Sequence, residues 1–377
     1  MKTIENWDTK QLFVRMYQPL QEWLKEYGIE YPWSDAGAVP DSYAVWVSEV
    51  MLQQTRVETV RPYFRNWLER WPTLGELARA KEEEVLRQWE GLGYYNRALN
   101  MLKCAEKCIH ELGLDNLPRV SAELLALPGI GPYIAAAVAS ISGNEAVLAL
   151  DTNVRRIFSR LYQRQPGPVV EREWQRRHSL ALEFCIWRGR GNVALIQLGQ
   201  QLCKAKRPLC SRCPLQGFCP TARSSNWAEF PVRKVFRKQK SESRRLLLWA
   251  EGGYLLLRKR SGHLRHLWRF PECEQLGTLF AREEDGTYLG SFCHAYLQEE
   301  EKIQVFRHVS PISRNDLEAA LSQTVKRDFE WTWAGLTELE QLTLAGPYRR
   351  FLRKFLHKLC ESPDRPPGQQ EDGSLHK

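Results

Sequence analysis

The chain has 377 residues, 43% hydrophobic and 26% charged, an ordinary globular composition that at roughly 150 residues per domain leaves room for two or three domains. It excludes a collagen-like, wholly disordered or repeat-only chain; no apolar run approaches the roughly 20 residues that span a bilayer, and Met1–Arg15 has no signal-peptide core, so the expectation is a soluble, intracellular protein without a membrane partner. Lys and Arg outnumber Asp and Glu by 54 to 45, a net charge of +9, which fits a polyanionic partner without establishing one.

Residues 1–222 read as helices. Apolar residues recur at helical spacing in Glu5–Tyr27, Tyr43–Gln54, Val57–Trp71, Thr73–Gln88, Arg97–Leu112, Ala122–Leu127, Tyr133–Ile141, Val154–Tyr162, Glu173–Trp187 and Val193–Lys204. Pro72, Gly91, Gly93, Pro118, Pro128, Gly129, Gly131 and Gly143 punctuate them. The texture then changes. Val232–Arg245 carries seven basic residues against the single acid Glu242, and 223–245 reads as a basic linker. Strand-like runs follow at Leu246–Ala250, Tyr254–Leu257, Tyr288–Tyr296 and Ile303–Val309, then helix-like Asn315–Ser322 and a closing helix Pro347–Leu359. The fold class expected is therefore multidomain: an all-α domain, then an α+β domain over 246–360. The polar, Pro- and Gly-rich 361–377 is expected to be a disordered tail.

Three local patterns carry chemistry. Of ten cysteines, four fall in one short loop as Cys203-x6-Cys210-x2-Cys213-x5-Cys219. Such a set in a long chain with no secretory signal reads as a metal site, and the spacing admits zinc or a [4Fe–4S] cluster. The other six are expected to be buried small hydrophobes. Lys204, Lys206, Arg207 and Arg212 interleave the ligands and suit a phosphate backbone. Second, Leu124–Val138 joins two helices through Pro128-Gly129-Ile130-Gly131-Pro132. The glycines allow close backbone approach, and the helix start beyond them offers free N–H groups to an anion. Third, Glu49 is one carboxylate in a strongly apolar helix, and Asp151 ends an apolar run where a helix begins. Taken singly, these read as a solvated position and an N-cap.

Together and in this order the patterns resemble the helix–hairpin–helix superfamily of base-excision DNA glycosylases with an iron–sulfur loop, and most closely its MutY-type adenine glycosylases. The resemblance covers roughly residues 20–222: Pro32-Trp33, Trp46–Val57, Gly91-Leu-Gly-Tyr-Tyr-Asn-Arg97, the hairpin with Gly129 and Gly131, Leu150–Val154 and the four cysteines. It implies a [4Fe–4S] cluster on Cys203, Cys210, Cys213 and Cys219. It implies Glu49 as the acid that protonates adenine N7, Asp151 facing the oxocarbenium-like sugar carbon, Asn153 holding Asp151 and water, and Tyr133 hydrogen-bonded to the acid. Burial should keep Glu49 protonated, while the helix start should favour the Asp151 anion. Bifunctional relatives carry a Schiff-base lysine at the position of Tyr133; no lysine lies between Lys107 and Lys204, so hydrolytic, monofunctional base release is implied. Gln54 and Thr55 would contact the lesion strand, and Leu92 and Tyr94 would wedge beside 8-oxoguanine.

In the second domain Arg258-Lys-Arg260, Leu267-Trp-Arg-Phe-Pro271 and Phe306-Arg307-His308 resemble the Nudix-like lesion-recognition domain of those proteins. No intact Nudix box is present, and Arg282–Gly286 reads as a charged loop, so pyrophosphohydrolase activity is not expected. Three departures bear on selectivity. Ser34 stands where the family has Arg, with extra residues before Tyr43. Val193 replaces a Glu or Gln that hydrogen-bonds adenine, a loss of about 1–3 kcal/mol. Arg307 replaces the serine of the family's Phe-Ser-His tip, next to His308. The implied partner is double-stranded DNA carrying A·8-oxoguanine or A·G mispairs, met by a monomer in a bacterial cytoplasm, at the nucleoid. The alternatives are a thymine or uracil mismatch glycosylase of the same fold, or a non-catalytic DNA-binding relative.

Overall fold

The computed structural model describes residues 4–33, 40–232, 239–260, 267–273, 276, 287–296, 299–309, 313–325, 329–339, 341–344 and 346–360. Ser34, the residues inserted before Tyr43, Arg282–Gly286 and the 361–377 tail lie outside the described residues. The chain divides into two compact units: Met1–Gln88 with Arg97–Lys234, and Trp89–Asn96 with Val235–Lys377. Among the described residues no helix is long and apolar enough to cross a membrane.

The first unit is helical. Its N-terminal segment starts where Asp8 accepts a hydrogen bond from the Gln11 amide (2.7 Å) and Gln11 answers through its side chain, a reciprocal cap. The single helix expected over Glu5–Tyr27 is instead Thr9–Leu12, a wider turn at Phe13–Tyr17 and α1, Gln18–Tyr27. Pro19 has no N–H to give back to Arg15, and the widened turn lies just before it. The longer helices that follow are α2 (Ser42–Leu52), α3 (Val57–Arg70), α4 (Asn96–Glu106), α5 (Pro132–Ser142), α6 (Thr152–Tyr162), α7 (Pro168–Leu182) and α8 (Arg188–Gln201). The expected Thr73–Gln88 splits into Leu74–Ala78 and Glu82–Gln88.

Two helices have no polar face. Every residue of α2 from Ser42 to Met51 is buried, and so is α5 from Ile134 to Ser142; helices apolar all round belong at the centre of a domain. They pack on each other, the alanines of α5 allowing close approach. Beside them α6 packs on α8, and Gly199 of α8 makes room for Asn153, since an added Cβ would fall 2.5 Å from the asparagine Cβ.

The core beside α6 contains one titratable ring. His178 of α7 is fully buried, its Nδ1 2.9 Å from Tyr17 Oη and its Nε2 2.9 Å from Tyr162 Oη, and it stacks on Phe158 at 4.0 Å. A neutral imidazole donates from one nitrogen and accepts at the other, so the two hydroxyls satisfy it without a charge.

Among the described residues the second unit holds a five-stranded mixed sheet in the order β3-β4-β1-β2-β5: β1 Gln239–Ala250, β2 Gly253–Lys259, β3 Thr287–Tyr296, β4 Glu299–Val309 and β5 Phe329–Ala334. β1 and β4 are parallel, in register from Gln239↔Glu299 to Trp249↔Val309, and the other pairs are antiparallel. Leu317 and Leu321 of α9 (Arg314–Thr324) pack with Leu246, Leu248, Leu255 and Leu257 of the sheet. α10 (Gly346–Cys360) places Tyr348 and Phe351 against Phe270 and Phe292.

The sequence reading needs three corrections here. Gln239–Arg245, expected as linker, is strand: Arg245 is buried and pairs with Glu272 and Glu301 at 2.8 Å each, and Arg244 lies over the Phe306 ring. β5 was not anticipated. Cys104, Cys108 and Cys185 are buried, but Cys273 is half-buried and Cys293, on β3, is exposed.

His178 titrates near 6.5 in an unfolded chain, and burial holds it down to about 3 in the folded one. Between these values the unfolded state binds the extra proton. Stability is therefore retained at pH 7 and lost as pH falls below 6.5, by about 1.4 kcal/mol per pH unit. Urea midpoints between pH 7 and 4.5 should fall more gently for His178→Gln than for the wild type; equal slopes would remove His178 as the cause.

Candidate active site

The buried helices converge on two carboxyl groups. Asp41 caps α2, accepting from the Ala44 amide at 3.0 Å, and two turns later Glu49 points into the interior, 4% exposed. Tyr133, at the second position of α5, donates its hydroxyl to Glu49 Oε2 at 2.7 Å. Burial raises the Glu49 carboxyl to about 7, against the lowering effect of the tyrosine bond and with help from the Asp151 charge. Burial also holds the Tyr133 hydroxyl well above its ordinary value, so it remains the donor. Glu49 is thus an acid that carries its proton near neutrality, as expected from its apolar helix.

Asp151 is the N-cap of α6. Oδ1 accepts from the Val154 amide at 2.7 Å and Oδ2 from Asn153 Nδ2 at 2.6 Å. These bonds and Arg156 favour the anion, but burial outweighs them and the carboxyl sits above its usual value. The expectation that the helix start would favour the anion holds for the bonds, but desolvation is the larger effect. Arg156 continues the chain of contacts, donating to Asn153 Oδ1 (2.9 Å), the Gly199 carbonyl (2.8 Å) and the Cys203 carbonyl (2.7 Å). One turn on, Arg160 is 3% exposed; it donates to Cys203 Sγ (3.3 Å) and to the carbonyls of Lys204 (2.8 Å) and Phe230 (3.0 Å).

Cys203, Cys210, Cys213 and Cys219 line one cavity together with Arg160 and Leu209. Four thiols lining one space suit a cluster in which each iron takes one thiolate. Burial raises Cys210, takes Cys213 up to about 12 and Cys219 up to about 11, so the thiols keep their protons until iron displaces them. Lys204, Lys206, Arg207 and Arg212 are exposed on the same loop.

Of the hairpin glycines, Gly129 takes the left-handed backbone, φ +73°, and an added Cβ would strike Asn100 at 2.5 Å, whereas Gly131 has φ −89° and open space around it before Pro132 opens α5. Gln54, exposed at φ 61°, and half-buried Thr55 follow α2, whose end is held by Arg97 donating to the carbonyls of Val50 (2.7 Å) and Gln53 (2.8 Å). Val193 is buried in α8.

In the second unit Leu92 is buried, whereas Tyr94 is 47% exposed with φ 51°, a conformation that costs a non-glycine residue about 1–3 kcal/mol. Phe306, Arg307 and His308 do not form a tip. They lie in β4, Arg307 facing Leu247 on one side and Thr287 on the other, because buried Ile303 and Val305 set a strand alternation.

The structure thus brings Glu49, Tyr133, Asp151 and Asn153 together in the first unit. Sequence reasoning missed buried Tyr31, which feels the charges of both Glu49 and Asp151, and the Arg156 and Arg160 pair. Only the i, i+4 spacing of two arginines in an otherwise apolar-faced helix marked them.

Residues 47–177 match the helix–hairpin–helix superfamily of base-excision DNA repair proteins, and residues 203–219 match the iron–sulfur binding domain of endonuclease III. The loop that carries the four cysteines is therefore an iron–sulfur loop of the [4Fe–4S] kind, a choice the spacing alone left open against zinc. A solved thermostable thymine-DNA glycosylase shares the fold, at 18% identity and a TM-score of 0.50 over 57% of this chain and 97% of its own. The class is thus that of the helix–hairpin–helix base-excision DNA repair proteins with an iron–sulfur domain.

Within it, the chain is 42% identical to human adenine DNA glycosylase over 47% of this chain and 33% of that one. It is 38% identical to the Mycolicibacterium smegmatis adenine DNA glycosylase over 58% of this chain and 72% of that one, and 31% identical to the protein of that name from Buchnera aphidicola subsp. Baizongia pistaciae over 68% and 73%. The chain belongs to the adenine DNA glycosylase family. It spans between a third and about half the length of the first curated relatives it matches.

Two measurements check the site. Base release should decline as pH rises through about 7, where Glu49 loses its proton, and Glu49→Gln should abolish release, by at least the 10²–10⁴-fold roughly typical of general acid catalysis, while duplex affinity is kept. Release by the variant near the wild-type rate would reject Glu49 as the acid. The purified protein should be brown and contain iron rather than zinc, and Cys213→Ser should lose cluster absorbance and DNA affinity together; one zinc and no iron by metal analysis would contradict the assignment.

Proposed function

We propose that the chain is a monofunctional DNA N-glycosylase that hydrolyses adenine from its deoxyribose, acting on adenine opposite 8-oxoguanine or guanine. The observation that carries this reading is a buried carboxylic acid held near pKa 7 and hydrogen-bonded by Tyr133, with the N-capping Asp151 close enough for its charge to be felt. An N-glycosidic bond breaks when the departing base gains a proton and the sugar cation is met by negative charge. Glu49 supplies the proton, at adenine N7. Asp151, oriented by Asn153 and the Val154 amide, faces the developing cation and, with Asn153, holds the attacking water. Two carboxyls in different surroundings divide the two tasks.

No lysine lies between Lys107 and Lys204, so no amine stands at Tyr133 to capture the sugar, and the product is an intact abasic strand. The target base leaves the stack to reach Glu49. Gln54 and Thr55 meet the lesion strand, and the Gly129–Gly131 hairpin receives a phosphate at the start of α5. The cluster, when bound, gives its loop a rigid form in which Lys204, Lys206, Arg207 and Arg212 meet the DNA backbone. The partner is duplex DNA, bound by a monomer.

We read the second unit, with its mixed sheet between α9 and α10, as a Nudix-like domain that favours 8-oxoguanine over guanine opposite adenine. Arg307 and His308 of β4 are its candidate contacts. A guanidinium donates only, where a serine both donates and accepts, so discrimination should be weaker than with a serine there.

Single-turnover cleavage of A·8-oxoguanine, A·G, T·G and U·G duplexes at fixed salt, with alkali added afterwards, tests the reading. Adenine release should dominate and strand breaks should need the alkali. Release confined to T·G and U·G would overturn it. For the second unit, the chain should be cut after Val232. Arg160 bonds the Phe230 carbonyl, and Gln165 bonds the Glu229 carbonyl (2.7 Å) and the Val232 amide (2.9 Å), so a cut nearer the cysteines would strip α6 of partners. The shortened protein, which also loses the partners of Trp89–Asn96, should still cleave A·G, though more slowly, and lose most preference for 8-oxoguanine; equal preference in both proteins would refute the role.

A further inference from the structure

The second unit has an unusual member. Trp89–Asn96, which runs from Gln88 into the first residue of α4, groups with Val235–Lys377 rather than with its sequence neighbours. Arg349 ties the two stretches together. This residue of α10 is 7% exposed; its Nε donates to Glu90 Oε1 at 2.6 Å and its Nη2 to Glu90 Oε2 at 2.9 Å, a two-pronged pair. The same guanidinium donates to the carbonyls of Leu339 (2.8 Å) and Leu342, and Tyr95 Oη donates to the Leu344 carbonyl at 3.2 Å. Inside the loop, fully buried Trp89 donates its indole N–H to the Gly93 carbonyl at 2.9 Å.

What the clamp holds is a loop at odds with free-chain preference. Gly91 has φ 103°, Gly93 71° and Tyr94 51°. A tyrosine keeps a left-handed backbone only where its surroundings over-determine it. Leu92 is buried, so Tyr94 is the large side chain that this loop exposes. A buried ion pair is a weak source of stability compared with apolar packing, but a forked arginine fixes orientation.

We infer that Arg349 is a positioning residue for DNA engagement: through Glu90 it holds the Trp89–Asn96 loop in the strained form that presents Tyr94 to the duplex. The effect on catalysis rests on the adenine-excision reading above; the clamp itself does not.

The test uses the full-length, cluster-loaded protein with Glu90→Gln and Arg349→Lys, each of which keeps size while removing a charge or the fork. Three quantities are measured: amide hydrogen exchange over Gly91–Tyr95 without DNA, fluorescence of a 2-aminopurine placed beside the mispair, and single-turnover adenine release. Both variants should exchange faster in the loop, with exchange in α9 and cluster absorbance unchanged. They should unstack the reporter less and release adenine about 10²-fold more slowly, the scale of loss that misplacement remote from the chemistry produces. Tyr94→Ala should cost the wild type a similar factor and add little in the Arg349→Lys background, since a residue already misplaced has little left to lose. Loop exchange like that of the wild type, or faster exchange with unchanged unstacking, or additive effects of the two substitutions, would overturn the inference. If the wild type releases no adenine, the functional reading fails, while the exchange and fluorescence results still decide the clamp.

Discussion

The constraint on which the site depends is the desolvation of one carboxyl group. Glu49 sits in a helix buried on every side, and the free energy of withholding its negative charge from water is what keeps a proton on it near neutral pH. The helix has to be central for this to work. That centrality is supplied by the alanine-lined α5, and α5 in turn delivers Tyr133 to the carboxyl. A hydroxyl at 2.7 Å fixes the orientation of the acid, although taken alone it would favour the anion. Burial wins that contest.

The second carboxyl depends on a different device. α6 works as a strut between Asp151 and the cysteine loop. Asp151 forms its cap, Arg156 reaches from Asn153 to the Cys203 carbonyl, and Arg160 reaches the Cys203 sulfur and the carbonyls beyond it. Both guanidiniums spend most of their donors on backbone oxygens, which is how cations can be kept in such a place. Loss of the loop's form would therefore be felt at Asn153. Gly199 is part of the same arrangement, because any side chain there would occupy the space of Asn153.

In the second unit charge is again placed inside. Arg245 is held between Glu272 and Glu301, and Arg349 grips Glu90. Arg245, read as linker in the sequence, thus joins β1 to β4, and Arg349 gathers a distant loop. A mixed sheet with one parallel pair offers few local signals.

The sequence alone determined the helical character of residues 1–222, the carboxylate in an apolar helix, the glycine hairpin and the cysteine loop. Each is written in neighbouring residues: a 3.6-residue period, a Gly-x-Gly-Pro run, a ligand spacing. It also determined that no lysine is available at Tyr133. Tertiary structure decided the rest. That Tyr133 bonds Glu49 across 84 positions and that Arg156 and Arg160 hold a loop more than 40 residues away follow from helix packing, which no local period encodes. The sign of the Asp151 shift reversed because a cap is local and burial is not. Gln239–Arg245 became strand, and Leu92 turned inward while Tyr94 stayed out, because partners far along the chain met their charges and apolar surface. Local pattern sets which elements form; the desolvation and pairing of individual side chains, on which the chemistry depends, are fixed only when distant elements meet.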